Sequence, residues 1–119
     1  MGAALAAALR AAGHTVLWAS AGRSEATAAR AHAADLVDAS TPAELADSCQ
    51  LVLSVCPPHA ALEVARSLGS LEGVYVDANA VSPATARRVA EAVEAAGAEF
   101  VDGGIVGPPP REHGTTRLY

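Results

Sequence analysis

The sequence predicts an α/β fold built on a doubly wound parallel sheet, and three observations carry that expectation. Short apolar runs alternate along the 119 residues with helix-length segments rich in Ala. The run Leu51-Val52-Leu53-Ser54-Val55 is almost unbroken, as a parallel strand covered on both faces requires. Ala supplies 30 residues while aromatics make up only 3%, so helices must lie close to the sheet across small side chains. Right-handed crossovers then wind such strand–helix–strand units into one sheet. The length fits a single domain.

Each element has its own local cause. Gly2 to Ala12 is a helix of Ala and Leu that closes at Gly13, a residue suited to the left-handed cap. Thr15-Val16-Leu17-Trp18 is a short strand, and Ser24 caps a helix ending near Ala33. Leu36-Val37 is a two-residue strand candidate. Thr41-Pro42-Ala43-Glu44 is a capping box with Pro at the first helical position. The strand at Leu51–Val55 stops at Pro57-Pro58, and a helix runs from about His59 to Leu68. Val74-Tyr75-Val76-Asp77 is the next strand. Ser82-Pro83 opens a helix to Ala96 that places Ala86, Val89, Ala90 and Val93 on one face. Gly97 ends it, Glu99-Phe100-Val101 begins another strand, and Thr115 to Tyr119 is a last strand-like run.

Composition excludes several classes of function. Thirteen acids against eight Arg, with no Lys, give a net charge of -5, which disfavours nucleic acid or an anionic membrane as the main partner. No apolar run reaches the ~20 residues of a membrane helix. Ala3 to Leu9 is apolar but no positive residue precedes it, so it does not read as a signal peptide. Cys49 and Cys56 are too few for a disulfide framework, and no Cys/His cluster has metal spacing. These features predict a cytoplasmic, metal-free domain.

In an open parallel sheet, ligands bind beyond the carboxyl ends of the strands. That rule selects Ala19 to Ser24, Cys56 to Pro58, Asp77 to Ser82 and Asp102 to Gly107, all rich in small, polar or Pro/Gly residues. The same segments carry a family resemblance. Met1-Gly2-Ala3-Ala4-Leu5, Ala12-Gly13-His14, Ser54-Val55-Cys56-Pro57-Pro58, Asp77-Ala78-Asn79-Ala80-Val81-Ser82-Pro83 and Phe100-Val101-Asp102-Gly103-Gly104 occur in order. Together they resemble the nucleotide-binding domain of the β-hydroxyacid dehydrogenase family, which includes 6-phosphogluconate dehydrogenase and the imine reductases. The resemblance spans nearly the whole chain and implies a Rossmann-like fold that transfers hydride to or from a small-molecule substrate. Pyrroline carboxylate or ketopantoate reductases, or a non-catalytic nucleotide-binding fragment, are the alternatives.

The resemblance implies roles residue by residue. Met1-Gly2 fit the last two positions of the family's G-x-G-x-M-G turn, so Gly2 would let its helix approach the sheet and the pyrophosphate. The first strand and two glycines of that pattern are absent, and residues 1–119 are expected to be a partial domain bounded artificially at both ends. No acid stands between Ala19 and Ser24 to bind a ribose 2′-hydroxyl, whereas Arg23, Ser20 and Ser24 offer groups for a 2′-phosphate. NADP is therefore expected over NAD. Cys56, Pro57 and Pro58 would wall the cofactor, and Asn79 would lie near the nicotinamide carboxamide or else form an Asx turn. Asp102, Val106 and Gly107 would face substrate. Val106 stands where hydroxyacid dehydrogenases carry a carboxylate-gripping serine, a departure toward the imine reductases. The family's catalytic lysine belongs to a following helical domain, through which the full-length form would be a homodimer. With no Lys present, no catalytic residue is assigned, and Arg111, Glu112 and His113 read as a solvated loop.

Overall fold

The structure is a computed structural model describing residues 1–119. Its helices are α1 (Gly2–Ala11), α2 (Glu25–Ala33), α3 (Pro42–Asp47), α4 (Ala61–Ser67) and α5 (Pro83–Ala95). Its strands are β1 (Leu17–Trp18), β2 (Val37–Asp38), β3 (Leu51–Ser54), β4 (Val74–Asp77), β5 (Glu99–Asp102), β6 (Ile105–Val106) and β7 (Arg117–Leu118). The capping logic of the sequence is realised in atoms. Ser24 and Ser82 accept from Thr27 N–H and Thr85 N–H, and Thr41 and Glu44 form the reciprocal capping box.

The expected single sheet is divided into three. β1 and β2 pair in parallel, β3-β4-β5 form a parallel three-stranded sheet, and β6-β7 form an antiparallel pair. No ladder joins β1 to β3. The first strand is shorter than Thr15–Trp18, and only Leu17 and Trp18 find partners in β2. The helix expected from His59 opens instead as a 3₁₀ turn, Pro58–Ala60, before α4, because Pro58 fixes φ and supplies no N–H.

The core lies on one side of the three-stranded sheet. Val52 and Tyr75 meet Ala61, Ala65 and Leu68 from α4 and its end, and Val89 and Val93 from α5. Ala86, Val89 and Val93 are buried as the helical spacing demands, while Ala90 is only half-buried. Gly73 is fixed by contact, since a Cβ there would lie 2.2 Å from the Gln50 carbonyl oxygen. The parallel registers Ser54↔Asp77 and Asp77↔Asp102 bring the strand ends into line. No helix is long and apolar enough to cross a membrane.

Candidate functional site

The site is built at the carboxyl edge of β3 and β4, where inward alternation leaves two polar residues beneath the loops. Val52 and Ser54 of β3, with Tyr75 and Asp77 of β4, are buried. Ser54 and Asp77 are the last residues of their strands and stand in register. Asn79, only 6% exposed, reaches over both. Its Nδ2 donates to Ser54 Oγ at 3.0 Å and to Asp77 Oδ1, while its Oδ1 accepts from Cys56 N–H at 2.7 Å. The Asn79 backbone N–H also donates to Asp77 Oδ1, at 3.1 Å. Asp77, rather than Asn79, thus makes the Asx turn.

Two polar atoms in this cluster lack partners: Tyr75 Oη and Asp77 Oδ2. Tyr75 lies beside Ser54 without a well-aligned hydrogen bond, and burial pushes its phenol up to about 12. Burial also raises the Asp77 carboxyl, against the hydrogen bonds from Asn79, and Asp102 on the neighbouring strand adds to the rise. Burial raises the Cys56 thiol as well, Asp77 adds to this, and the nearby Arg23 guanidinium opposes it.

The Asp77 shift has a defined sign. The neutral carboxyl is favoured in the folded chain, so the folded pKa lies above an unfolded value of about 3.9. This contribution to stability is complete below the unfolded value and is lost as pH rises through the folded one. Asp77→Asn keeps an acceptor for Asn79 without a buried charge. Its urea midpoint should gain on wild type as pH rises above the unfolded value of about 3.9 and through the raised folded one. A constant gap across that range would contradict the assignment.

The other sequence candidates fall into neighbouring groups. Arg23 is exposed, its guanidinium engages no acid, and its field reaches Cys56. Ser20 is half-buried beside Asp38, whose carboxyl is held below its usual range by the Ser20 hydroxyl and by Ser40 N–H, which donates to Asp38 Oδ1 at 2.8 Å. Ser24 caps α2. Gly2 faces the end of β3, but a Cβ there would sit 3.9 Å from Val55 O, an ordinary contact; packing on these strands does not demand glycine. Pro57 and Pro58 are exposed at the rim. Asp102 is exposed at the end of β5, whereas Val106 and Gly107 belong to the β6 hairpin, with Val106 62% exposed. Gly107 has φ +125, and a Cβ there would meet Thr115 O at 2.3 Å, so a backbone role suffices to explain it. Arg111, Glu112 and His113 are exposed, and no group of His, Cys, Asp or Glu is placed to hold a metal.

The sequence places Asp77 at the head of a ligand-facing segment and Ser54 in a family motif without assigning either a role, and gives Tyr75 and Asp38 no part in the site. Ser54 and Asp77 were detectable, since each is polar at a strand end in an otherwise apolar run. Their meeting depends on the β3–β4 register.

Comparison with known proteins agrees with this fold. Residues 1–116 match the NAD-binding domain of 6-phosphogluconate dehydrogenase. The chain belongs to that family. A conserved protein of unknown function, reported as structurally similar to 3-hydroxyacid dehydrogenases, superposes with a TM-score of 0.84 at 33% identity. The match covers 98% of this chain and 44% of that one. An imine reductase from Streptomyces aurantiacus gives a TM-score of 0.65 at 30% identity, covering 92% and 39%. An uncharacterized 28.5 kDa protein of Methanothermus fervidus is 35% identical over 65 residues, 54% of this chain and 25% of the relative. The chain therefore spans less than half the length of these relatives. It is a Rossmann-like NAD(P)-binding domain of an oxidoreductase family.

Proposed function

We propose that this NAD(P)-binding domain holds NADP(H) for an oxidoreductase acting on a small carbonyl, imine or hydroxyacid substrate. The observation carrying the cofactor preference is Arg23, an exposed guanidinium with no acid engaged, next to the half-buried Ser20. A planar guanidinium matches a 2′-phosphate in charge and shape. The donor set suits an anionic dinucleotide in a second respect. The α1 N-terminus has no side-chain cap and no acid in its first turn, so its free N–H groups and dipole favour a phosphate. Asp38 beside Ser20 is the opposing charge that Arg23 must outweigh.

When bound, the nicotinamide supplies hydride transfer; the protein binds and orients it. Arg23 and Ser20 would hold the adenosine phosphate end, with Ser24 fixing the helix that follows. Cys56, Pro57 and Pro58 would form a wall, with Asp102, Val106 and Gly107 toward the substrate side. The proton donor and the second wall of the substrate pocket are assigned to a helical domain that would also pair two copies. This reading places the protein in the cytoplasm. Titration of the chain with NADPH and NADH tests the cofactor assignment. Binding of NADPH at least about tenfold tighter is expected; equal affinities would remove the preference, and no binding of either would remove the reading.

A further inference from the structure

We propose that Asn79 is a positioning residue which, oriented by Asp77, fixes the Cys56–Pro57–Pro58 segment for dinucleotide binding without itself contacting the dinucleotide. The inference rests on the nucleotide-binding reading above and deepens it. A primary amide has two N–H donors and one carbonyl oxygen. In Asn79 both donors are engaged, one by Ser54 Oγ and one by Asp77 Oδ1, and the oxygen accepts from Cys56 N–H. Only one lone pair remains on a side chain that is 6% exposed. A carboxamide of a ligand, which needs both a donor and an acceptor, finds neither a free N–H nor open surface here.

The amide cannot turn over to free one. Cys56 N–H requires an acceptor facing it, and the Asp77 oxygen, already accepting from Asn79 N–H, requires a donor. The two demands fix the same orientation from opposite sides. What the side chain does is join two loops: the bond from Cys56 spans 23 residues of sequence and ties the end of β3 to the end of β4. Cys56 stands immediately before Pro57 and Pro58, and Pro57 has no N–H with which to anchor itself. The Asn79 bond is thus the polar anchor at the head of that segment. Asp77 is fully buried and sets the amide through Oδ1.

The test uses the whole chain, isotopically labelled, with NADPH as the probe. Amide exchange at Cys56 in the free protein and NADPH affinity are measured for N79A, D77A and D77N. N79A and D77A should speed Cys56 exchange and weaken NADPH, each by about tenfold, with the Val89 amide in the core unchanged. D77N, which keeps an acceptor for Asn79, should stay within about threefold of wild type in both. If N79A or D77A fails to fold, S54A removes one acceptor of the same amide and should speed Cys56 exchange by about threefold. Weaker NADPH binding in N79A with Cys56 exchange unchanged would show direct contact and overturn the proposal. D77N as damaging as D77A would overturn it too, as would unchanged Cys56 exchange in S54A. Should wild type bind no dinucleotide, the cofactor reading fails, and Cys56 exchange still decides whether the strut exists.

Discussion

Arg23→Ala is expected to erase most of the preference for NADPH over NADH. A charge-assisted contact to a phosphate contributes about 1.5–3 kcal/mol, which is about 10- to 150-fold in affinity. The guanidinium is exposed and engages no acid, so that contribution is not offset by a broken ion pair in the free protein. Exposure also makes it sensitive to salt, and the wild-type preference should shrink as ionic strength rises. NADH affinity should change little, because a ribose hydroxyl offers no charge for Arg23. Calorimetric titration of both dinucleotides with both proteins checks this. A variant that still prefers NADPH tenfold or more would assign the discrimination to other groups, with the Ser20 hydroxyl the first to examine.

The second large effect concerns the packing that lets this domain form. Ala61, fully buried at the start of α4, meets a core containing Val52, Tyr75 and Ala65. Ala61→Leu adds three carbon atoms where the helix is held against the sheet by the smallness of its side chains. Overpacking of this kind costs about 3 kcal/mol, a large part of the ~5–15 kcal/mol that typically stabilises a domain. The same change at Ala95, exposed on α5, should alter stability by less than about 0.5 kcal/mol. Urea unfolding of the two variants separates the cases. Equal midpoints would mean that α4 can move away from the sheet without penalty.

The helices and their ends were legible in the sequence because their causes are local. Ser24, Thr41 and Ser82 accept from N–H groups three residues ahead, and Glu44 from the Thr41 N–H three residues behind; such contacts are fixed by spacing alone. Gly13 and Gly97, with φ +94 and +95, end helices for a similarly local reason. The parallel strands Leu51–Ser54 and Val74–Asp77 were readable from continuous apolar character, but the expected cover on both faces of β3 is not realised: Val52 and Ser54 are buried while Leu51 is 58% exposed. The carboxyl-edge segments were readable from the general rule that such a sheet binds ligands there.

Tertiary structure alone decided the rest. β1 reduces to Leu17–Trp18 because a strand is as long as its partner permits, and β2 offers two residues. Asn79 was readable as a polar residue in a ligand-facing loop, but its use was not. Its partners lie 25 residues away at the end of β3 and 23 residues away just beyond it, and only the register Ser54↔Asp77 brings them within reach. Asp38 reaches Ser20 by the same route, through the pairing of Trp18 with Asp38. The sequence by itself determined which elements form and which edge they expose, since propensity, capping and hydrophobic pattern act over a few residues. Which polar groups meet at that edge was decided by strand pairing, where a shift of one residue turns each inward side chain to the opposite face.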